Sequence, residues 1–296
     1  MNVGFIGIGI MGKPMSRNLL KRGFALTVAD VNEAAVRELV QEGAKGAASP
    51  MEAARESDII ITMLPNNDIV RNVILGENGI VYGAKPGTIV VDMSSVSPIV
   101  SREIAAALKE RGLHLLDAPV SGGEPKAVDG TLAIMVGGEE EVFKKAEPVL
   151  AAMGQDITLV GGSGCGSIAK LANQIIVNVN IAAMSEAFVL AAKAGIDVEK
   201  MYQAIRGGLA GSTVLDAKAP MVLERNFQPG GRIDINLKDL TNVMETAEKE
   251  NVPLPLTSHV MNVFRTLKEE GKQALDHSGI VQYYESLAGI TVEKRK

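Results

Sequence analysis

The feature that most constrains this chain is a glycine pattern near its start. The apolar run NVGFI enters Gly7, Gly9 and Gly12 and leaves through the helix-compatible segment KPMSRNLLKRG. Glycines at these three positions, between a strand and a helix, each have a separate duty. Gly7 permits a tight turn, Gly9 lets the backbone approach a pyrophosphate, and Gly12 lets the helix pack close to the strand; the phosphates then sit on the helix N-terminus. The intervening Ile8, Ile10 and Met11 line the same turn. Asp30 ends the next strand-like run, 18 residues past Gly12. There a carboxylate accepts hydrogen bonds from adenine-ribose hydroxyls and repels a 2'-phosphate, and neither Val31 nor Asn32 supplies an arginine. The pattern predicts bound NAD(H), with NADP(H) as the alternative; the competing reading of Asp30 is a solvated strand-end aspartate. Gly7 to Lys13 also fits the opening of a phosphate-binding P-loop, but that loop needs Ser or Thr after the lysine to hold Mg²⁺, and here Pro14 follows.

Beyond the motif, apolar runs at 3–8, 25–29, 59–63, 88–93, 113–116, 132–136 and 157–160 read as buried strands, with amphipathic segments such as 32–42 and 98–111 between them. Ser97 is placed to cap the second of these, with Pro98 at its first position. Strands alternating with helices predict a mostly parallel, doubly wound sheet covered on both faces, a Rossmann-type α/β domain. After Val160 the pattern changes to an almost unbroken helical stretch over 167–194, then helices at 198–205, 214–223, 237–248, 256–270 and 277–287. We therefore expect a dinucleotide-binding domain over 1–161 and an all-α domain over 162–296, with the active site in the cleft between them at the carboxyl ends of the strands.

Composition removes other classes. With no Trp, four Tyr, six Phe and a net charge of -5, the chain lacks both the stacking platform and the basic track of a nucleic-acid binder. Its single cysteine, Cys165, excludes an intramolecular disulfide and a cysteine-based zinc cluster. His114, His259 and His277 share no metal-ligand spacing, so no metal is expected. The start lacks the charged n-region of a signal peptide, and the longest charge-free apolar run, 171–185, is shorter than a membrane span requires. These features predict a cytoplasmic protein without membrane attachment.

Lys170 is the one charged residue between positions 157 and 185. Burying an ammonium group unpaired is costly, so it either snorkels to water or serves a purpose. Asn173 and Gln174 follow at helical spacing on the same face, which therefore offers a proton donor and two amides to a polar substrate. The alternative is a surface lysine with two solvated amides.

Four motifs then carry a resemblance along essentially the whole chain: GFIGIGIMGKPM at 4–15, DAPVSGGEPKAVDGTLAIMVGG at 117–138, GGSGCGSIAKLANQ at 161–174 and KDLTNVME at 238–245. The chain resembles the β-hydroxyacid dehydrogenases, relatives of 6-phosphogluconate dehydrogenase. Within that family, MLPNN, GEPKAVDGT and AIRGGLAGSTVLDAKAPM look most like the branch that reduces tartronate semialdehyde to D-glycerate. The resemblance implies a small semialdehyde or hydroxyacid substrate, with Lys170 as general acid and base. Ser121, Gly122 and Gly123 match the loop that anchors the substrate carboxylate, and Asn173 matches another site amide. Gln174 stands where an asparagine is common, so its contact with substrate is left open. Leu64 and Pro65 match residues on the adenosine side of the cofactor, Ser95 a hydroxyl near the nicotinamide, and Lys238 a lysine contacting the cofactor. Read locally, Ser95 is equally a loop or cap residue, and Lys238 a solvated helix residue beside Asp239. Other short-chain hydroxyacid dehydrogenases, such as those for 3-hydroxyisobutyrate, and a non-catalytic dinucleotide-binding protein are the rival readings.

Two further residues read as structural. Ser163 is not a nucleophile elbow, because Cys165 occupies the last glycine position of that motif. Asp117, at a strand end, reads as fixing a loop rather than as a catalytic carboxylate. The long apolar helix points to a homo-oligomer, a dimer or tetramer.

Overall fold

A computed structural model describes residues 1–294. Among the described residues nine strands form one sheet: β1 Asn2–Ile6, β2 Ala25–Ala29, β3 Lys45–Gly46, β4 Ile59–Thr62, β5 Ile89–Asp92, β6 His114–Asp117, β7 Val120–Ser121, β8 Leu132–Gly137 and β9 Gly154–Gly161. The first six lie in the order 3-2-1-4-5-6 and are all parallel, as in a Rossmann-type fold. β8 then joins antiparallel to β6 through the pairing of Asp117 with Gly137, and to β7, while β9 runs parallel to β8. The sheet is therefore doubly wound and mostly parallel, with a reversed strand beside β6.

Helices cover the sheet: α1 Gly12–Lys21, α2 Glu33–Gln41, α3 Pro50–Ala54, α4 Asn67–Leu75, α5 Pro98–Lys109, α6 Gly123–Asp129 and α7 Glu140–Leu150. β4 and β5 read IIIT and IVVD and are buried throughout, the signature of strands enclosed on both faces. Alternation along β1 sorts the two cores: Val3 and Phe5 pack with Met15, Leu19 and Leu116, whereas Ile6 packs with Ile74, Val90 and Leu108. Ser97 caps α5, accepting the Ile99 N–H at 3.3 Å, with Pro98 at the helix start.

The chain divides into two compact units, Met1–Lys170 and Leu171–Lys296. The helix α8, Cys165–Lys193, contains this division. The second unit continues with α9 Val198–Ile205, α10 Thr213–Leu223, α11 Ile233–Lys249, α12 Pro255–Glu269 and α13 Val281–Ala288. Its core gathers Ile181 and Phe188 of α8 with Ala219 and Val222 of α10, Leu240 of α11 and Phe264 of α12. Across Lys170, α8 is long and apolar enough by composition to cross a membrane, although the charge-free run within it is not. Its place among these core residues gives that apolarity a packing role.

Three local differences from the sequence reading have physical causes. The segment 277–287 is a 3₁₀ turn, His277–Ile280, followed by α13, because Asp276 caps the turn by accepting the Ser278 N–H at 3.0 Å. The two-residue strands β3 and β7 carry too few residues to show a period. Gly123 begins α6, so the segment from Ser121 to Gly123 is a strand end and a helix start rather than an open loop.

Candidate active site

The three glycines of the opening motif have different surroundings. Gly7 has φ +92°, and a Cβ there would lie 2.3 Å from the Met63 carbonyl oxygen. A Cβ on Gly12 would lie 2.0 Å from the Gly7 carbonyl oxygen, so α1 starts in contact with the turn itself. Around Gly9 a Cβ would meet nothing within 4 Å. That exposed glycine leaves the backbone accessible, as a pyrophosphate requires. The start of α1 has no side-chain cap. The Lys13 N–H donates to the Gly9 carbonyl oxygen at 3.0 Å and Pro14 carries no N–H, so of the first three residues of α1 it is the Gly12 N–H that stands open to a phosphate oxygen. Ile8 is buried beneath the turn, Met11 is half-buried, and Ile10 is 73% exposed. The residues present thus fit the diphosphate of a dinucleotide.

Asp30 holds this turn. Its Oδ2 accepts the Ile8 N–H at 2.7 Å and its Oδ1 the Asn32 N–H at 2.7 Å, while Asn32 caps α2. Two carboxylate oxygens carry about four acceptor sites, so lone pairs remain for ribose hydroxyls. Two cations of α1 are committed to α2 and its C-cap: Lys13 pairs with Glu38 at 2.7 Å, and Arg17 with Glu38 and Glu42 at 2.6 Å. Ile8, Gly9, Ile10, Lys13, Arg17 and Asn32 border a cavity of about 470 Å³.

At the next strand ends, Leu64 is half-buried and Pro65 exposed, and the Leu64 N–H donates to Ser94 Oγ at 2.9 Å. Beneath them Asp92 accepts from Thr62 Oγ1 at 2.8 Å and from the Ser94 N–H at 3.2 Å. Burial pushes the Asp92 carboxyl up to about 6, against the hydrogen bonds from Ser94 and Thr62. Ser95 follows, half-buried, in the segment between β5 and α5. Ser121 ends β7, Gly122 is exposed with φ +136°, and Gly123 opens α6 with φ +68°. Lys170 lies on α8, 9% exposed. In the first unit, then, Gly7 to Gly12, Asp30, Leu64, Pro65, Ser95 and Ser121 to Gly123 all lie at or just past the carboxyl ends of strands.

In the helical unit Asn173 is half-buried and Gln174 buried. Asn173 Nδ2 donates to Gln174 Oε1 at 3.0 Å; Gln174 Nε2 donates to Asp239 Oδ2 at 2.7 Å and Asn236 Oδ1 at 3.3 Å. The Gln174 amide is thus engaged at both ends and acts as the support of Asn173. Lys238 lies 3.0 Å from Asp239 Oδ1 and borders a cavity of about 520 Å³ with Thr241, Arg265 and Lys268. Asn236 and Asp239 were not singled out by sequence; the signal available was their i,i+3 spacing on an otherwise amphipathic helix. His277 is buried with Nδ1 3.2 Å from Asn178 Oδ1, and His259 lies against Tyr284, both structural placements.

The family described as the NAD binding domain of 6-phosphogluconate dehydrogenase matches residues 2–162. The family described as NAD-binding of NADP-dependent 3-hydroxyisobutyrate dehydrogenase matches residues 164–284. The chain is 43% identical to the 2-hydroxy-3-oxopropionate reductase of Escherichia coli, over 97% of this chain and 98% of that one. It is 39% identical to the 2-(hydroxymethyl)glutarate dehydrogenase of Eubacterium barkeri, over 99% and 97%. Among solved structures, the Mycobacterium tuberculosis 3-hydroxyisobutyrate dehydrogenase with L-serine superposes with TM-score 0.89 at 32% identity, covering 96% of this chain and 98% of that one. The chain belongs to the β-hydroxyacid dehydrogenase family and is an NAD(P)-dependent oxidoreductase acting on hydroxyacids.

Proposed function

We propose that this enzyme interconverts tartronate semialdehyde (2-hydroxy-3-oxopropanoate) and D-glycerate, using NADH in preference to NADPH. The observation that carries the substrate is the 43% identity over 97% of the chain with a 2-hydroxy-3-oxopropionate reductase. In this reading Ser121 and the N–H groups of Gly122 and Gly123 bind the substrate carboxylate. Asn173, braced by Gln174, hydrogen-bonds a substrate oxygen. A nicotinamide held there would supply the hydride to the aldehyde carbon. As the carbonyl π pair moves to oxygen, Lys170 Nζ delivers the proton that makes it a hydroxyl, and in reverse the neutral amine removes that proton. A fixed carboxylate and a fixed proton donor turn a bimolecular encounter into an oriented one, where much of the rate arises.

Residues Gly7 to Gly12 hold the diphosphate, with Leu64 and Pro65 on the adenosine side and Ser95 and Lys238 as further cofactor contacts. The preference for NADH is supported by Asp30, by Val31 in place of an arginine, and by the commitment of Lys13 and Arg17 to Glu38 and Glu42. A cytoplasmic homo-oligomer completes the proposal, to be checked by light scattering. The decisive experiment compares kcat/KM for tartronate, methylmalonate and succinate semialdehydes with both cofactors. Tartronate semialdehyde with NADH is expected to lead; preference for either other aldehyde overturns the substrate, and turnover of none overturns the reaction.

A further inference from the structure

The helix that carries Lys170 begins without a cap of its own. It starts at Cys165, so the N-cap position is Gly164, which has no side chain to receive the orphan N–H groups of the first turn. Two of the N–H groups at this start are received from 47 and 50 residues earlier in sequence: Asp117 Oδ1 accepts the Gly164 N–H at 2.7 Å, and Asp117 Oδ2 accepts the Ser167 N–H at 2.8 Å, while the Cys165 N–H donates to the Gly162 carbonyl oxygen at 3.0 Å. Lys170 follows Ser167 by one helical turn. Asp117 is 1% exposed at the end of β6, and the chain runs from it through Ala118 and Pro119 directly into Val120 and Ser121. One carboxylate therefore lies at the root of the anchoring segment and at the foot of the proton-donating helix.

The contact is close on every side. A Cβ on Gly166 would lie 2.2 Å from the Asp117 carbonyl oxygen and 2.4 Å from that of Met135. A Cβ on Gly137 would lie 2.6 Å from Asp117 Oδ1 and 2.6 Å from the Gly166 nitrogen. The first turn of α8 is thus seated on the ends of β6 and β8 at a spacing that only glycine permits. Ser167 Oγ, 3.0 Å from Ser101 Oγ, ties the same turn to α5. The joint is too tight to replace a lost hydrogen bond by water.

We propose that Asp117 is a positioning residue of the reaction, fastening the Lys170 helix to the strand end that leads into the Ser121 anchor so that proton donor and substrate carboxylate keep a fixed separation. This rests on the reading of Lys170 as proton donor, and the two are tested separately. Asp117→Asn keeps one acceptor oxygen but turns an NH₂ group toward a backbone N–H, so one of the two bonds is lost and a donor faces a donor. A displacement of about 1 Å at a reacting group costs on the order of 100-fold in rate. We expect kcat to fall about 10- to 100-fold, while the NADH dissociation constant and the substrate KM change less than about threefold.

A double-mutant cycle with Lys170→Ala, run on the semialdehyde the enzyme turns over best, separates positioning from stability alone. Lys170→Ala should lower kcat by about 10² to 10⁴. In that background Asp117→Asn should cost nothing further, because it acts through a group already removed. Full kcat in Lys170→Ala defeats the reading of Lys170. An active-site loss in Lys170→Ala combined with additive effects in the double variant, or an unchanged kcat with a lowered Tm in Asp117→Asn, overturns the proposal for Asp117. If Asp117→Asn does not fold, Ser101→Ala loosens the same turn and carries the same cycle, and additivity there overturns the proposal equally.

Discussion

At the scale of single residues, three glycines in one motif are held by three different forces, and substitution separates them. Gly9→Ala places a methyl group in open space, so the protein should fold with an unchanged Tm yet bind NADH at least about tenfold more weakly, as fluorescence titration would register. Gly12→Ala drives a methyl group against the Gly7 carbonyl oxygen and should cost about 1–3 kcal/mol in urea unfolding, the usual range for overpacking. Equal effects from the two would refute the division of duties. Asp30→Ala removes both the grip on the Ile8 N–H and the charge opposing a 2'-phosphate, so the kcat/KM ratio of NADH to NADPH should fall about tenfold. The motif and Asp30 were legible in the sequence because their duties are local, set by backbone reach over a few residues. The hydrogen bonds that Asp117 accepts were not legible, because its partners Gly164 and Ser167 are far along the chain.

Among the elements, some helices that begin with their own caps stood out in sequence, whereas the short α3 and α4, capped by Ser49 and Asn66, did not. Ser97 with Pro98 marked the start of α5, and the reading of α9 over 198–205 matches Val198–Ile205. α8 was foreseen two residues late, since a helix entered through glycines and capped from another strand carries no signal at its own start. The buried amides of α8 show a similar dependence on a distant element. The contact of Gln174 with substrate was left open by its position, and the structure adds hydrogen bonds that join it to Asn173 and, on α11, to Asp239. Asp239→Ala takes away the charged acceptor of Gln174 and leaves a buried amide donor short of a partner, which should cost about 1–3 kcal/mol. Urea unfolding measures it; a change below about 0.5 kcal/mol would deny Gln174 its bracing role.

For the molecule as a whole, stability should carry an imprint of the buried carboxyls at the strand ends. Asp92 pairs in register with Asp117, and burial raises both. The Asp92 carboxyl stands at about 6 in the folded protein against 3.8 ordinarily, so the native state holds its proton more tightly than the unfolded chain. The contribution of this group is therefore favourable below about pH 4 and is lost as pH rises through 6. Asp92→Asn keeps an oxygen for Thr62 and the Ser94 N–H and needs no ionisation. It should stabilise the protein by about 3 kcal/mol at pH 8 and leave it unchanged near pH 4, read from urea midpoints at both values. A gain of the same size at both pH values would exclude ionisation of Asp92 as the cause.

Sequence by itself determined the alternation of strands and helices, the change to helix alone after Val160, the glycine turn with its carboxylate and the singular Lys170. Each of these is a matter of periodicity, turn chemistry or charge within a short window, where physical constraints act along the chain. Tertiary structure alone decided that β8 is reversed beside β6, that Gln174 faces Asp239 and that Asp117 supplies the cap α8 lacks. Those outcomes depend on which buried donors meet which acceptors across tens of residues, and the close packing that brings them together has no counterpart in local sequence.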